Sequence, residues 1–172
     1  ISFQLFRGTS RDSSTIPVIE NGELKYFAGF ERITQVGFFF QNILGPTIYK
    51  FEGIRRNGQK NSEYKRENFY SYITGFEYVS TNLFNTIWNL NLFSEYSYDN
   101  RDTKSTDIFQ NDIFIGSKIT FNDVSGTEAT QAFTFDMDGN GNTGTFEIST
   151  RLIESLRITA EYSFYWALKS TD

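Results

Sequence analysis

The sequence predicts an all-β fold, a segment of an antiparallel transmembrane β-barrel. Three observations carry the prediction. First, Phe, Tyr and Trp make up 18% of the 172 residues and recur at every second position. Trp88, Leu90, Leu92, Tyr96 and Tyr98 alternate with Asn89, Asn91, Glu95, Ser97 and Asp99. Leu156, Ile158, Ala160, Tyr162, Phe164 and Trp166 alternate with Arg157, Thr159, Glu161, Ser163 and Tyr165. Strand side chains point to opposite faces in turn, so each run has one apolar and one polar face. Second, these runs have the length of a bilayer-crossing strand, roughly 9–11 residues, whereas strands of soluble sheets average about 5–6. Third, the connections alternate between long and charged (10–29, 57–68, 100–109) and short (44–46, 81–85, 122–127, 153–154). Membrane barrels segregate their loops in this way. Only 137–142 departs, being short on the long-loop side.

Nine strands are expected. The first covers 1–9, with Ile1, Phe3 and Leu5 against Ser2 and Gln4; a long connection carrying Pro17, Asn21 and Gly22 follows. The second covers 30–43 and ends at the turn Leu44-Gly45-Pro46. The third, 47–57, sets Tyr49 and Phe51 against Lys50 and Glu52. The fourth, 69–80, puts Tyr70, Tyr72, Phe76 and Tyr78 on one face, and the fifth covers 86–99. The sixth, 110–121, sets Ile113, Ile115, Ile119 and Phe121 against Phe114, Gly116, Lys118 and Thr120. The last three cover 128–137, 143–152 and 155–168. Two prolines in the whole chain suit long, continuously paired strands.

Composition excludes several function classes. With no Cys there are no disulfides, thiolate metal sites or Cys nucleophiles, and with no His a Ser-His-Asp hydrolase is out. An enzyme would be left with an all-carboxylate site. A net charge of −5 argues against a nucleic-acid partner. No run of about 18 apolar residues offers a membrane helix, but a barrel wall is half polar and reads this way.

Three sets of side chains are candidates for function. Lys50, Glu52, Glu77, Glu95, Lys118, Glu147, Arg151, Arg157 and Glu161 fall opposite the aromatic positions. They line a pore, pair with one another in a narrow lumen, or form an ordinary solvated face. Tyr78, Trp88, Tyr96, Tyr98, Tyr162 and Trp166 fit an interface girdle, where an amphipathic ring sits at headgroup depth; in a soluble protein they would be core. Asp136, Asp138, Asn140, Gly141 and Glu147 match the spacing of an EF-hand calcium loop. The flanks alternate as strands, with Phe133 and Phe135 before and Phe146 and Ile148 after, and Asp-Gly and Asn-Gly pairs are hairpin-turn signals. The alternatives are a plain hairpin tip and weak calcium binding at an exposed acidic tip. Arg55, Arg56, Lys60, Lys65 and Arg66, interleaved with Glu63 and Glu67, read as a solvated loop rather than a phosphate site.

The stretches FRGTSRD (6–12), ERITQVGFFFQN (31–42), YKFEGIRRNGQ (49–59), GFEY (75–78), LFSEYSYDNRD (92–102), FQNDIFIGSKITFNDV (109–124) and FEISTRL (146–152) resemble Gram-negative outer-membrane β-barrel proteins of the porin type. The resemblance implies an outer-membrane location, surrounding lipid, passive diffusion of ions or small solutes, other envelope proteins as partners, and no cofactor or catalytic residue. Barrels of this type usually end on an aromatic residue and have an even strand number. This chain ends Lys169-Ser-Thr-Asp172 and starts at Ile1 without Met. The expectation is therefore a fragment, with at least one further strand after it and several before. Rival readings are a scaffold barrel with a filled lumen, docking partners in an envelope complex, and a soluble lipocalin-like barrel around an apolar ligand.

Overall fold

The chain is all-β in the computed structural model, which describes residues 1–20, 22–138 and 141–167. Nine strands follow one another across one sheet in chain order. They are β1 (Ser2–Glu20), β2 (Glu23–Leu44), β3 (Thr47–Lys60), β4 (Arg66–Ser80), β5 (Asn89–Asp99), β6 (Asn111–Thr120), β7 (Glu128–Asp136), β8 (Asn142–Ile153) and β9 (Leu156–Trp166). The only helical segments among the described residues are two short 3-10 turns, Leu83–Asn85 and Asp102–Lys104. An antiparallel meander is what period-2 segments joined by tight turns produce, because each strand pairs with the one it has just left.

Two of the three expected long loops are strand instead. β1 and β2 stay paired out to Glu20 and Glu23, through Ile16↔Phe27, Pro17↔Tyr26 and Ile19↔Leu24. The segment 10–29 is thus the far half of a hairpin. Its turn uses Gly22 at φ 82, the left-handed conformation that a two-residue hairpin loop demands. Between Thr9 and Ser13 the register slips: four steps along β1 match two along β2. Within this bulge the Asp12 N–H donates to Ser10 Oγ at 3.0 Å. Likewise β3 and β4 extend into the expected loop 57–68, leaving only 61–65 between them. The connection 100–110 is a true loop.

Contacts divide the chain into two units, each described by itself. Unit 1 comprises Ile1–Phe40, Glu52–Tyr72 and Tyr98–Gln110. Unit 2 comprises Gln41–Phe51, Ile73–Ser97 and Asn111–Asp172.

In unit 2 the register fixes the faces. Ile115↔Phe133, Ile113↔Phe135, Gln131↔Phe146, Ile148↔Ala160 and Phe146↔Tyr162 place the apolar positions of β6 to β9 together. Phe133, Phe135, Phe146, Tyr162, Phe164 and Trp166 form one ring cluster there, with centroids 5.3–6.4 Å apart. In unit 1, Phe3, Leu5, Val36 and Phe38 share a face by the same rule.

Burial runs opposite to that of a water-soluble domain. Among the described residues the buried hydrophobics are Ile33 and Phe69, while ten polar or charged residues are buried. Phe3, Leu5, Phe30, Val36, Ile115, Phe146, Ile148, Ile158 and Tyr162 are exposed. Soluble folds bury Ile, Val, Leu and Phe first and leave charge outside.

Candidate functional site

The candidate site is the polar face of the sheet. In unit 2 it is built from alternate positions of β3 to β9. Lys50 Nζ lies 3.1 Å from Glu77 Oε2, and Asn91 Nδ2 donates to Glu77 Oε1 at 2.9 Å. Glu95 packs beside Gly75, where an added Cβ would come within 2.8 Å of its Cγ. Lys118, Thr130, Glu147 and Glu161 are successive register partners across β6 to β9 and so form one row. Lys118 Nζ turns to Glu128 Oε2 at 2.9 Å, leaving Glu147 and Glu161 side by side. Arg151 and Arg157 are also register partners. Arg157 relieves that like-charge contact by donating from Nη2 to the Gly126 carbonyl at 2.9 Å and from Nη1 to Ser149 Oγ at 3.2 Å. The structure therefore brings together most of the expected charged set in unit 2. Two of its members, Lys50 and Glu77, pair directly.

Glu52, the remaining member, lies in unit 1 on β3. It alternates with Ile54 and Arg56 and is exposed.

The polar face also holds aromatic residues: Phe114, where its alternation sets it, and Phe93 and Phe69, which the sequence reading did not assign. Phe93 stacks on Phe114, centroids 5.6 Å apart. Gly116 makes room for them: a Cβ there would collide with the Phe93 ring. In unit 1, Phe69 is buried beneath the Arg101 guanidinium, 3.5 Å from the ring centroid, with Arg56 at 5.9 Å. Arg101 binds the Asp99 carboxylate through Nε (3.0 and 3.1 Å) and Nη2 (2.5 Å), and Ser105 Oγ donates to the same carboxylate at 3.1 Å. Arg56 donates from Nε to Gln35 Oε1 (2.7 Å) and from Nη1 to Asp12 Oδ2 (2.8 Å) and Gln59 Oε1 (2.7 Å). Ser14 Oγ donates to the buried Glu31 at 2.5 Å. A groove of about 350 Å³ opens beside Arg56, Gln35, Ile33, Phe6 and Gln4.

Arg56 corrects the expected solvated basic loop: it stands in a strand, partly buried, with three partners. The signal was available. Arg56 continues the alternation of Lys50 and Glu52, and Phe69 falls out of phase with Tyr70, Tyr72, Phe76 and Tyr78. Of that basic cluster, Lys65 does lie in the loop, 3.0 Å from Glu63, with Lys104 at 3.7 Å. The hydrogen bond from Lys65, and then the Lys104 charge, hold the Glu63 carboxyl below its ordinary range.

The expected girdle residues scatter more than their sequence positions suggest. Tyr78 and Trp88 are exposed near the 81–88 connection, Trp88 edge-on to Phe121 at 4.9 Å. Tyr96 donates from its hydroxyl to Asn111 Oδ1 at 2.9 Å. Tyr98 clusters with Tyr72 and Tyr70, at 5.4 and 6.2 Å. Trp166 closes the ring cluster, 5.3 Å from Phe164. Tyr162 stands mid-strand, seventh of eleven residues in β9, rather than at an end.

The EF-hand spacing does not gather its ligands. Asp136 ends β7 and Asp138 follows in the hairpin connection, its N–H bonded to Asp136 Oδ1 at 2.8 Å. Glu147 lies well inside β8 opposite Thr130, about 20 Å along the strand from the tip at ~3.4 Å per residue. Asn140 lies outside the described residues. Strands, not helices, flank the segment. Among the described residues no three acidic side chains converge on a point that would hold a metal ion.

No protein-family model, no curated protein and no solved structure matches this chain.

Proposed function

We propose that the chain is part of the wall of an outer-membrane β-barrel through which ions or small solutes diffuse passively. One observation carries this reading: the sheet buries polar side chains and leaves its aromatic and aliphatic side chains bare. Water would drive the exposed apolar rows together or against another surface, because burial is favourable by roughly 25 cal/mol per Å². Hydrocarbon removes that drive and satisfies the same rows, while a closed antiparallel ladder satisfies every backbone group within the wall. The charged rows of the other face then line water. In unit 2 that face carries Glu77, Glu95, Asp112, Glu128, Asp136, Glu147 and Glu161 against Lys50, Lys118, Arg151 and Arg157. The excess of carboxylates favours cations.

A second reading has its own observation. In unit 1 the polar face is filled by Phe69, Ile33 and the Arg101–Asp99 pair, all buried, which suits a scaffold barrel with a closed interior.

Reconstitution in planar bilayers separates the two. Discrete conductance steps, with a reversal potential favouring the cation in a salt gradient, are expected of the diffusion reading. A silent but inserted protein favours the scaffold. A chain that stays soluble and monodisperse without detergent refutes both.

A further inference from the structure

On the apolar face of β1 to β3 in unit 1, three arginines come close together. Arg7 pairs with Thr34, and Thr9 with Arg32, so the two arginines sit diagonally on one face, just beyond Leu5 and Val36. Arg56 bonds to Gln35 on the opposite face. Its neighbour Arg55 therefore shares the face of Thr34 and Val36. All three arginines are exposed, and none has an ion pair or side-chain hydrogen bond with another described residue.

No acid balances them. The same-face positions are Phe3, Leu5, Arg7, Thr9, Ser13, Thr15, Pro17 and Ile19 on β1, Leu24 to Phe38 on β2 in steps of two, Gly53, Arg55 and Asn57 on β3, and Arg66, Asn68, Tyr70 and Tyr72 on β4; none is Asp or Glu. Diagonal cross-strand neighbours stand about 7–8 Å apart, and like charges at such sites repel. A chain of net charge −5 thus gathers three unpaired cations on an apolar face, between Leu5 and Val36 on one side and Phe30 and Tyr26 on the other.

Arginine recognises phosphate through paired N–H donors.

We propose that Arg7, Arg32 and Arg55 form a seat for the phosphate of a membrane lipid headgroup. The assignment rests on the membrane-spanning reading above. The hydrocarbon of the lipid covers Leu5 and Val36 while its phosphate neutralises the three guanidinium groups.

The test uses the full chain folded into vesicles of phosphatidylcholine alone or of an equimolar mixture with phosphatidylglycerol. Folded protein is separated by flotation, and lipid retained after extraction into neutral detergent is counted by native mass spectrometry. Wild type is expected to retain phosphatidylglycerol over phosphatidylcholine by about tenfold or more, since each arginine near a charged surface contributes ~1 kcal/mol. The triple variant Arg7→Gln, Arg32→Gln, Arg55→Gln should lose the preference. The triple Lys variant, of unchanged charge, should keep at least a few-fold preference.

A Gln variant that retains phosphatidylglycerol like wild type overturns the proposal. A Lys variant that inserts normally yet shows no preference does so too, by assigning the effect to repacking. Inorganic phosphate, compared with chloride at equal ionic strength, should not displace the lipid; full displacement would mark a free-anion site and overturn the lipid assignment. A chain that floats with vesicles but retains both lipids equally sinks this inference alone. A chain that floats with neither sinks the membrane reading itself.

Discussion

Ile148→Arg tests which face meets lipid. Ile148 is seventh of the twelve residues of β8 and is 51% exposed. Its register partners are Ala129 and Ala160, too small to shield a guanidinium. Either end of the strand is about 17–20 Å away at ~3.4 Å per residue, beyond the reach of an arginine side chain. If this face meets hydrocarbon, the substitution should cost about 2–4 kcal/mol. If it meets water, a half-exposed strand position should change stability by no more than about 1 kcal/mol. The adjacent substitution Glu147→Arg is the internal control. It faces Glu161 and Thr130, replaces an acid–acid contact with an acid–base one, and should gain about 0.2–1 kcal/mol. Both are measured by urea unfolding in phospholipid vesicles, followed by tryptophan fluorescence and by gel mobility of the unheated protein. Equal stability of the two variants would refute the orientation, and a larger loss from Glu147→Arg would reverse it.

Three further outcomes are expected. Asp99→Ala should cost about 3–5 kcal/mol of unfolding free energy, because it leaves the Arg101 guanidinium, itself 1% exposed, with only the exposed Asp107 carboxylate at 3.9 Å; an unchanged denaturation midpoint would show that the pair does not hold the 100–110 loop. The Asp123 carboxylate accepts from the Thr127 N–H (2.7 Å) and hydroxyl (2.6 Å), which lowers its pKa. Its contribution to the 122–127 turn is therefore fully present above the ordinary aspartate value of ~3.9 and is lost as pH falls through the lowered one. Amide exchange at Thr127 should accelerate only in that acid window, and Asp123→Asn should abolish the transition. Calcium chelation should leave the β-type circular dichroism and melting profile unchanged; collapse on chelation would reinstate the Asp136–Glu147 loop as a structural ion site.

Strand identity was legible because period-2 alternation is a local property. All nine strands stand where the alternation of Tyr, Phe and Ile against polar residues sets them, from Phe3 and Leu5 in β1 to Tyr162 and Phe164 in β9. The errors lie at the ends of β1 to β4, and their cause is physical. Pro17, Asn21, Gly22 and the run of charges after Asn57 resemble loop composition, yet β1 and β2 stay paired within the same sheet through Ile16↔Phe27, Pro17↔Tyr26 and Ile19↔Leu24. Asn21-Gly22 is a stronger hairpin signal than Pro17 is a strand breaker. A Pro on an edge strand loses no ladder bond when its nitrogen points away from the partner.

The candidate site was legible residue by residue but not pair by pair. Alternation puts Lys118, Glu147, Arg151, Arg157 and Glu161 on one face, but only register says which of them meet. Shifting one strand by two residues would keep every side chain on its face and change every partner. In the observed register, Lys118 leaves its row for Glu128, so Glu147 and Glu161 remain adjacent and uncompensated. Arg157 turns to the 122–127 connection, so Arg151 stands free among the described residues. The charge this face presents is therefore not the sum of its residues. Along β8 and β9 it is what remains after cross-strand pairing: two carboxylates at one level and a guanidinium several residues along. Along these two strands acid and base therefore stand at separate levels rather than forming a uniform acidic row. Were this face to line a pore, as proposed, such a profile would let ions enter without holding them, because binding must be weak enough for release.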